Sequence, residues 1–241
     1  MKKIALVTGL LLSSASFASG VHWTYSGHEG PEYWGSLSPD YAACSGGKNQ
    51  SPVDIAAMAE AELSPIEFAY QSGGDSVVNN GHTIKVGYAA GSSISVDGHS
   101  YELKQFHFHA PSENLIEGQS FPMEMHLVHA DSSGNLAVVG VMFKEGETNA
   151  ELEKAWAVMP DHEGEAKPSA ALAAEALLPG NHDYYRFSGS LTTPPCSEGV
   201  LWLVMKDPVT ASKAQIEAFE HVMHHPNNRP VQPLNARKVM Q

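Results

Sequence analysis

The sequence predicts a mainly β (α+β) protein in which one antiparallel-rich sheet is accompanied by few helices. Short segments rich in Val, Ile, Phe and Tyr recur through the chain, and turns of Gly, Asn, Asp and Ser separate them. Only two segments have a clear helical pattern. No internal repeat, low-complexity tract or long linker divides the chain. We therefore expect a single domain.

Six segments have the composition and length of strands. They lie at 77–86, 92–97, 101–109, 123–130, 136–144 and 200–206. Turn-forming residues such as the pair Asp97-Gly98 stand between them. Strands joined by such short turns pair in the antiparallel direction.

Two segments have helical periodicity. The first begins at Asn149, a favourable N-cap residue, and ends before Pro160. The second covers 211–225 and ends before Pro226. The alanine-rich segment 169–177 fits either a helix or a loop.

The first 18 residues have the layout of a secretory signal peptide. Lys2 and Lys3 precede an apolar run, and small residues surround Ala18. That run is too short to span a bilayer, and no later segment reaches about 18 apolar residues in a row. We expect residues 1–18 to be cleaved and residues 19–241 to form one exported domain, periplasmic or secreted, with no membrane insertion.

The charge of the chain argues against polyanionic partners. It has 14 basic and 27 acidic residues, for a net charge of −13. Such an acidic chain offers no electrostatic attraction to nucleic acid or to an anionic membrane.

The chain has two cysteines, Cys44 and Cys196. In an oxidising compartment an isolated pair indicates one disulfide bond. Two unpaired buried thiols remain the alternative.

Two histidines alternate with phenylalanines in the segment QFHFHAPSEN, which starts at Gln105. Successive side chains of a strand point to opposite faces, so Gln105, His107 and His109 share one face. This pattern also fits hydrogen-bonded or exposed histidines, so a metal site needs a third ligand.

The next predicted strand supplies a candidate in MEMHLVH. Glu124 and His126 share one face there, while His129 lies on the other, where a hydrogen-bonded core histidine is expected. Because consecutive strands are usually neighbours, His126 can join His107 and His109. Three imidazoles with one open position are typical of catalytic zinc. Gln105 and Glu124 are then expected to accept hydrogen bonds from the ligand rings.

The sequence resembles the α-class carbonic anhydrases of the bacterial, secreted type over almost the whole mature chain. The motifs that carry the resemblance are HWTYSG at 22, NQSPVDI at 49, NNGH at 79, QFHFHAPSEN at 105, EMHLVH at 124, GSLTTPPC at 189, VLWLV at 200 and NNRPVQPLNAR at 227. The resemblance implies a single domain built on a large twisted, mostly antiparallel sheet of about ten strands with short peripheral helices.

The resemblance also implies a zinc lyase with one Zn2+ per chain, held by His107, His109 and His126. Its reaction is the reversible hydration of carbon dioxide to bicarbonate and a proton, by attack of zinc-bound hydroxide. Thr192 and Glu113 match the pair that orients this nucleophile. Without Glu113, the residues around Thr192 would be an ordinary strand-ending turn.

Further positions match the family around the site. Thr193 is expected to contact bicarbonate, and a backbone carbonyl near Asn227 is expected to accept from His109. The apolar pocket for carbon dioxide matches Val128, Val138, Leu191, Val200 and Trp202, which would equally suit a plain core.

His82 matches the histidine that relays protons to bulk solvent, since an imidazole titrates near neutral pH. Tyr25 and Asn80 match residues that order the intervening waters. Lys85 departs from the neutral polar residue of many relatives, which leaves the efficiency of the relay open.

Family resemblance adds inhibitory anions and sulfonamides to the expected ligands, and leaves a homodimer open. Two other functions are considered. A binding module on the same fold would have lost a zinc ligand, and a zinc carrier would have His-rich tracts. The sequence keeps all three histidines and has no such tract.

Overall fold

The computed structural model describes residues 21–241, so the signal peptide expected at 1–18 lies outside the described residues. Within residues 21–241, a sheet of 11 strands forms the centre of the protein. Its strands are β2 (Glu67–Ala69), β3 (Gly74–Asn79), β4 (Ile84–Tyr88), β5 (Ser93–Val96), β6 (His99–His109), β8 (Met123–Ala130), β9 (Leu136–Glu145), β10 (Gly164–Ala166), β11 (Tyr184–Ser190), β12 (Glu198–Met205) and β13 (Val209–Ala211). A separate pair of parallel strands consists of β1 (Asp54–Ile55) and β7 (Leu115–Ile116).

The strand order is β10-β3-β4-β6-β8-β9-β12-β11, with β5 beside β6, β2 beside β5 and β13 beside β9. Only the pairs that β9 makes with β12 and β13 are parallel among the described pairs of this sheet. The prediction of a mainly β fold with a large, mostly antiparallel sheet is confirmed.

The helices are short. They are α1 (Trp34–Leu37), α2 (Ala43–Gly46), α3 (Ala150–Trp156) and α4 (Lys213–Met223), with 3-10 turns at Gly27–Glu29, Pro39–Tyr41 and Ala174–Leu177. The Asn149 side chain accepts from two backbone N–H groups and caps α3, as predicted. Ser212 and Gln215 form a capping box at the start of α4. Among residues 21–241, each helix falls short of the length and apolarity that crossing a bilayer requires.

The segment 77–86, expected as one strand, is a hairpin of β3 and β4. Asn80 Oδ1 accepts from the backbone N of His82 at 3.0 Å and of Thr83 at 2.9 Å, and this side chain closes the turn. Gly81, between Asn80 and His82, has a φ of +80°, a conformation that glycine adopts without strain. The turn carries His82 to the edge of the sheet face that holds the predicted ligands.

The central strands separate two hydrophobic clusters. On one face, Phe106 and Phe108 of β6 pack in a large core that includes Leu152 of α3 and Phe219 of α4. The other face has a smaller cluster that includes Trp202 of β12. Because β6 alternates its side chains, the face opposite the large core is the one that carries His107 and His109.

Cys44 of α2 and Cys196, which follows β11, form the predicted disulfide bond. Their Cα atoms lie 5.0 Å apart across a sequence separation of 152 residues. The bond joins the N-terminal helices to the loop that contains Thr192.

Candidate metal centre

Three histidines converge on the face of β6 and β8 that lies opposite the large core. In the antiparallel register of these strands, His107 lies directly opposite His126. His109 follows two positions after His107 and therefore points to the same face. One ring nitrogen of each histidine lies within 4.8 Å of the others, and this is the one such ligand group found among residues 21–241.

The second nitrogen of each ring lies beside a protein oxygen. His107 Nδ1 forms a hydrogen bond with Gln105 Oε1 at 2.9 Å and His109 Nδ1 with Asn227 O at 2.7 Å, whereas His126 Nε2 lies 2.9 Å from Glu124 Oε1 without good hydrogen-bond geometry. Each contact leaves the other nitrogen of its ring facing the common centre. Such contacts orient ligand rings in metal sites and select their tautomers.

The residues present fit a zinc ion. Burial lowers the pKa of all three imidazoles, and for His107 and His126 the neighbouring His109 lowers it further, so the neutral, metal-binding form is favoured. His109 Nε2 is buried and has no hydrogen-bond partner among the described residues. Three neutral nitrogens that enclose one shared space match the ligand preference of catalytic zinc.

Glu113 lies next to the ligand rings and is buried. Its Oε1 accepts from the backbone N of Arg229 at 2.8 Å. Its Oε2 lies 3.5 Å from His109 Nε2 and 3.9 Å from His126 Nδ1. Thr192 is close enough to lower the pKa of this carboxyl, but no group among residues 21–241 forms a hydrogen bond of good geometry with Oε2. Burial outweighs these contacts and raises the pKa of Glu113 to about 8, so a nearby cation would favour its charged form.

Glu124 is also buried, but its oxygens are well supplied with donors. Oε2 accepts from the backbone N of Glu113 and of Asn114, each at 2.8 Å, and Oε1 accepts from Asn114 Nδ2 at 2.7 Å. Burial still raises the pKa of this carboxyl. Asn114 was not predicted from the sequence, although its place directly after Glu113 in the APSEN motif is a signal that points to it.

A cavity of 160 Å³ opens over the histidines, with room for about five water molecules. Its lining residues are Trp23, Tyr25, Asn80, His82, Thr83, Lys85, Gln105, His107, His109 and Thr193. A larger cleft of 480 Å³ lies between residues 25–33 and Asn228 and Pro230, but the metal-ligand group is not there. The chemistry, and not the size of the cavity, therefore locates the site.

The mouth of the cavity is aromatic. The His82 ring stacks on Trp23 with centroids 3.8 Å apart and planes inclined by 10°. Tyr25 packs edge-on against the same histidine at 6.4 Å. Burial lowers the pKa of His82, and His22 lowers it further while Glu163 opposes the shift. The role of Trp23 was not predicted, because a stacking contact across 59 positions has no signature in the sequence.

The five residues expected around carbon dioxide lie together. Val138, Val200 and Trp202 are buried in the smaller hydrophobic cluster, and Val128 and Leu191 pack against it. The Trp202 ring lies 4.8 Å from the His126 ring in an edge-on arrangement. An apolar surface therefore borders the metal centre directly.

His129 lies on the face opposite the ligands. It is fully buried, its Nε2 lies 2.7 Å from the Tyr70 hydroxyl and its Nδ1 lies 3.3 Å from the carbonyl oxygen of Ala137. Burial lowers the pKa of this imidazole to about 4.

Comparisons with known proteins agree with this geometry. The family model described as eukaryotic-type carbonic anhydrase matches residues 29–241. A carbonic anhydrase of Pectobacterium atrosepticum is 50% identical over 228 residues, which cover 94% of this chain and 93% of that protein. The complex of α-carbonic anhydrase from Thermovibrio ammonificans with the inhibitor sulfanilamide has a TM-score of 0.91 at 56% identity, and the match covers 92% of this chain and 100% of that one.

The fold also occurs in a protein whose description does not mention carbonic anhydrase. The crystal structure of dioscorin complexed with ascorbate has a TM-score of 0.84 at 30% identity, and the match covers 91% of this chain and 97% of that one. The family model and the relatives nevertheless agree over nearly the whole length of the chain. The chain therefore belongs to the α-carbonic anhydrase family, whose enzymes use zinc to hydrate carbon dioxide.

Proposed function

We propose that residues 19–241 form an exported carbonic anhydrase that reversibly converts carbon dioxide and water into bicarbonate and a proton. The convergence of three neutral imidazoles, each held from behind by a protein oxygen, carries the proposal. When bound there, zinc supplies a Lewis acid that activates water as a nucleophile at neutral pH.

In this proposal Gln105, Glu124 and the carbonyl of Asn227 keep the ligand rings in place. Asn227 adds a second contribution through its side chain, which accepts from the backbone N of Ala110 at 2.8 Å and donates to the carbonyl of Phe108 at 2.9 Å. These bonds tie the C-terminal segment to the end of β6. The ring of His109 is thereby fixed at both the ring nitrogen and the backbone.

Glu113 and Thr192 orient the nucleophile. The backbone N–H of Arg229 donates to Oε1 of Glu113, so Oε2 is available to accept a hydrogen bond from the Thr192 hydroxyl. The Thr192 oxygen can then act only as an acceptor, which selects an attacking group that carries a hydrogen. Thr193, on the cavity wall, contacts the bicarbonate that forms.

Carbon dioxide has no net charge and occupies the apolar wall beside the metal centre. Val128, Val138, Leu191, Val200 and Trp202 supply this wall, because they are in one cluster that reaches the His126 ring. The wall gives the neutral substrate an apolar surface beside the centre at which it is attacked.

His82 carries the released proton from the cavity to solvent. It is half-buried, lines the cavity and stacks on Trp23, so its ring bridges the interior and the surface. Tyr25 and Asn80 line the same cavity and are proposed to order the waters between His82 and the centre. The Asn80 oxygen already accepts two backbone hydrogen bonds, so its amide N–H groups are the part that can donate to water.

The expected ligands and location complete the proposal. A relative is described in complex with sulfanilamide, and we expect this chain to bind sulfonamides and small inhibitory anions at the same centre. The basic and apolar pattern of residues 1–18 and the disulfide bond both favour export to the periplasm or beyond.

The test is stopped-flow carbon dioxide hydration by the purified mature chain, with the zinc content measured on the same samples. His126→Ala is expected to lose both hydration and stoichiometric zinc. His99→Ala, an exposed histidine at the other end of β6, is the matched control and is expected to keep both. Stoichiometric zinc in the unchanged chain without hydration would refute the proposal and favour a binding module on this fold.

A further inference from the structure

Lys85 is a cation in the wall of the cavity. In the antiparallel register of β4 and β6, Lys85 lies directly opposite His107. Side chains that face each other across two strands point to the same side of the sheet. Lys85 and His107 accordingly line the same cavity.

The ammonium group of Lys85 has no carboxylate partner among residues 21–241. None of the ion pairs formed within residues 21–241 includes it. Among the other lysines of residues 21–241, Lys104, Lys154 and Lys213 form ion pairs, whereas Lys48, Lys144, Lys167, Lys206 and Lys238 do not. Because surface lysines commonly lack an ion pair, the position of Lys85 on the cavity wall, and not the lack of a partner, sets it apart.

The charge of the cavity differs from that of the chain. The chain has 27 acidic against 14 basic residues, and an anion approaching such a protein is repelled on average. Within the described part of the chain, however, no aspartate or glutamate lines the cavity, and Lys85 is the one lysine or arginine that does. The charge of the cavity lining is therefore opposite to that of the whole chain, and the Glu113 carboxylate, 3.5 Å from His109 Nε2, lies outside that lining.

We propose that Lys85 is an anion-positioning residue that draws bicarbonate and other small monovalent anions into the cavity; this proposal rests on the proposed function. Carbon dioxide is neutral and does not respond to the charge. The Lys85 charge attracts bicarbonate when bicarbonate enters as the substrate of dehydration. The same charge retains bicarbonate before it leaves as the product of hydration. Lys85 thus sets how strongly the site discriminates between the charged and the neutral reactant.

The experiment compares zinc-loaded enzyme with Lys85→Gln, Lys85→Arg and Lys104→Gln. Lys104 is the matched control, since it is exposed on the adjacent strand β6 and its replacement changes the net charge by the same amount. For each protein we would measure the KM for bicarbonate, the KM for carbon dioxide at alkaline pH and the inhibition constant of sodium thiocyanate. The melting temperature reports whether the fold is intact.

In Lys85→Gln, the KM for bicarbonate and the inhibition constant of thiocyanate are expected to rise about three- to tenfold, the effect of one charge several ångströms away across a hydrated cavity. The KM for carbon dioxide should stay within about twofold because a neutral substrate gains nothing from the charge. Lys85→Arg is expected to restore anion binding, and Lys104→Gln to leave every constant unchanged.

Unchanged anion constants in Lys85→Gln would overturn this proposal while leaving the proposed function intact, because hydration would continue. An equal shift in Lys85→Gln and Lys104→Gln would assign the effect to net charge and would also overturn it. Absence of hydration in the unchanged chain would instead contradict the proposed function, and this proposal with it.

Discussion

The buried pair of His129 and Tyr70 predicts how stability depends on pH. The contacts are satisfied when the imidazole is neutral, with Nδ1–H donating to the carbonyl of Ala137 and Nε2 accepting from the Tyr70 hydroxyl. Burial lowers the pKa of His129 from 6.5 to about 4. Between these two pH values the unfolded chain binds a proton at His129 that the folded chain does not bind. The contribution of neutral His129 to stability is therefore fully present above pH 6.5 and is lost as the pH falls towards 4.

The size of the loss follows from the shift. A difference of two to three pKa units corresponds to about 3 kcal/mol in total, of which about 2 kcal/mol is already lost at pH 5. The perturbation is the double variant Tyr70→Phe/His129→Phe, which removes the titrating group and its partner together and so leaves no hydroxyl without a partner. When the pH is lowered from 7 to 5, the free energy of unfolding should fall in both proteins. The fall should be about 2 kcal/mol smaller in the double variant than in the unchanged chain.

The assay is urea unfolding of zinc-loaded protein, followed by tryptophan fluorescence at both pH values. Protonation of the metal ligands contributes to both proteins and cancels in the difference. The control is His162→Phe, which replaces an exposed histidine by the same residue and should keep the full pH dependence. Equal losses for the double variant and the unchanged chain would refute the assignment of this stability to His129.

Three further predictions concern the disulfide bond, a ligand support and the proton relay. Replacing Cys44 and Cys196 by Ser should lower the free energy of unfolding by up to about 5 kcal/mol, because the bond spans 152 residues; an unchanged urea midpoint would contradict this. Gln105→Leu should weaken zinc binding about 10- to 100-fold in competition with a chelator, because the His107 ring loses its hydrogen-bond partner; equal affinity would show that Gln105 does not position the ring. His82→Ala should slow hydration in weak buffer about tenfold or more, and added imidazole should restore the rate; a loss that imidazole leaves untouched would argue against a relay.

The ligand triad could be predicted from the sequence because it depends on local rules. The alternation of side chains places His107 and His109 together, and the usual adjacency of consecutive strands brings His126 beside them. The same two rules place Gln105 and Glu124 next to the ligands. The major strands were recognised for a similar reason, since each has enough β-branched and aromatic residues to show a pattern.

Other parts of the fold have no local pattern to recognise. Strands of two or three residues, such as β1, β2 and β13, are too short to show alternation. The hairpin of β3 and β4 was predicted as one strand because its turn is short and both arms are rich in Val and Ile. These elements are set by pairing with distant strands, and one sequence does not specify the partner.

The contacts of the site also divide into those that a local sequence pattern predicts and those that it does not. The hydrogen bonds from Arg229 to Glu113 and from Asn114 to Glu124, like the stacking of Trp23 on His82, depend on side-chain geometry. Resemblance to a family could indicate that the segment at 227 matters. Only the structure shows which backbone atoms of that segment face the carboxylate and the imidazole.

The distance along the chain between the metal ligands and their supporting residues bears on the order of assembly. His107, His109 and His126 occur within one pair of adjacent strands, whereas Thr192 and Asn227 join them from much later in the sequence. Contacts between near neighbours form faster than distant ones. All three ligand histidines have appeared when little more than half of the chain has been synthesised. The residues that would hold the metal therefore depend on one local strand pair, whereas the residues around them depend on contacts that span much of the chain.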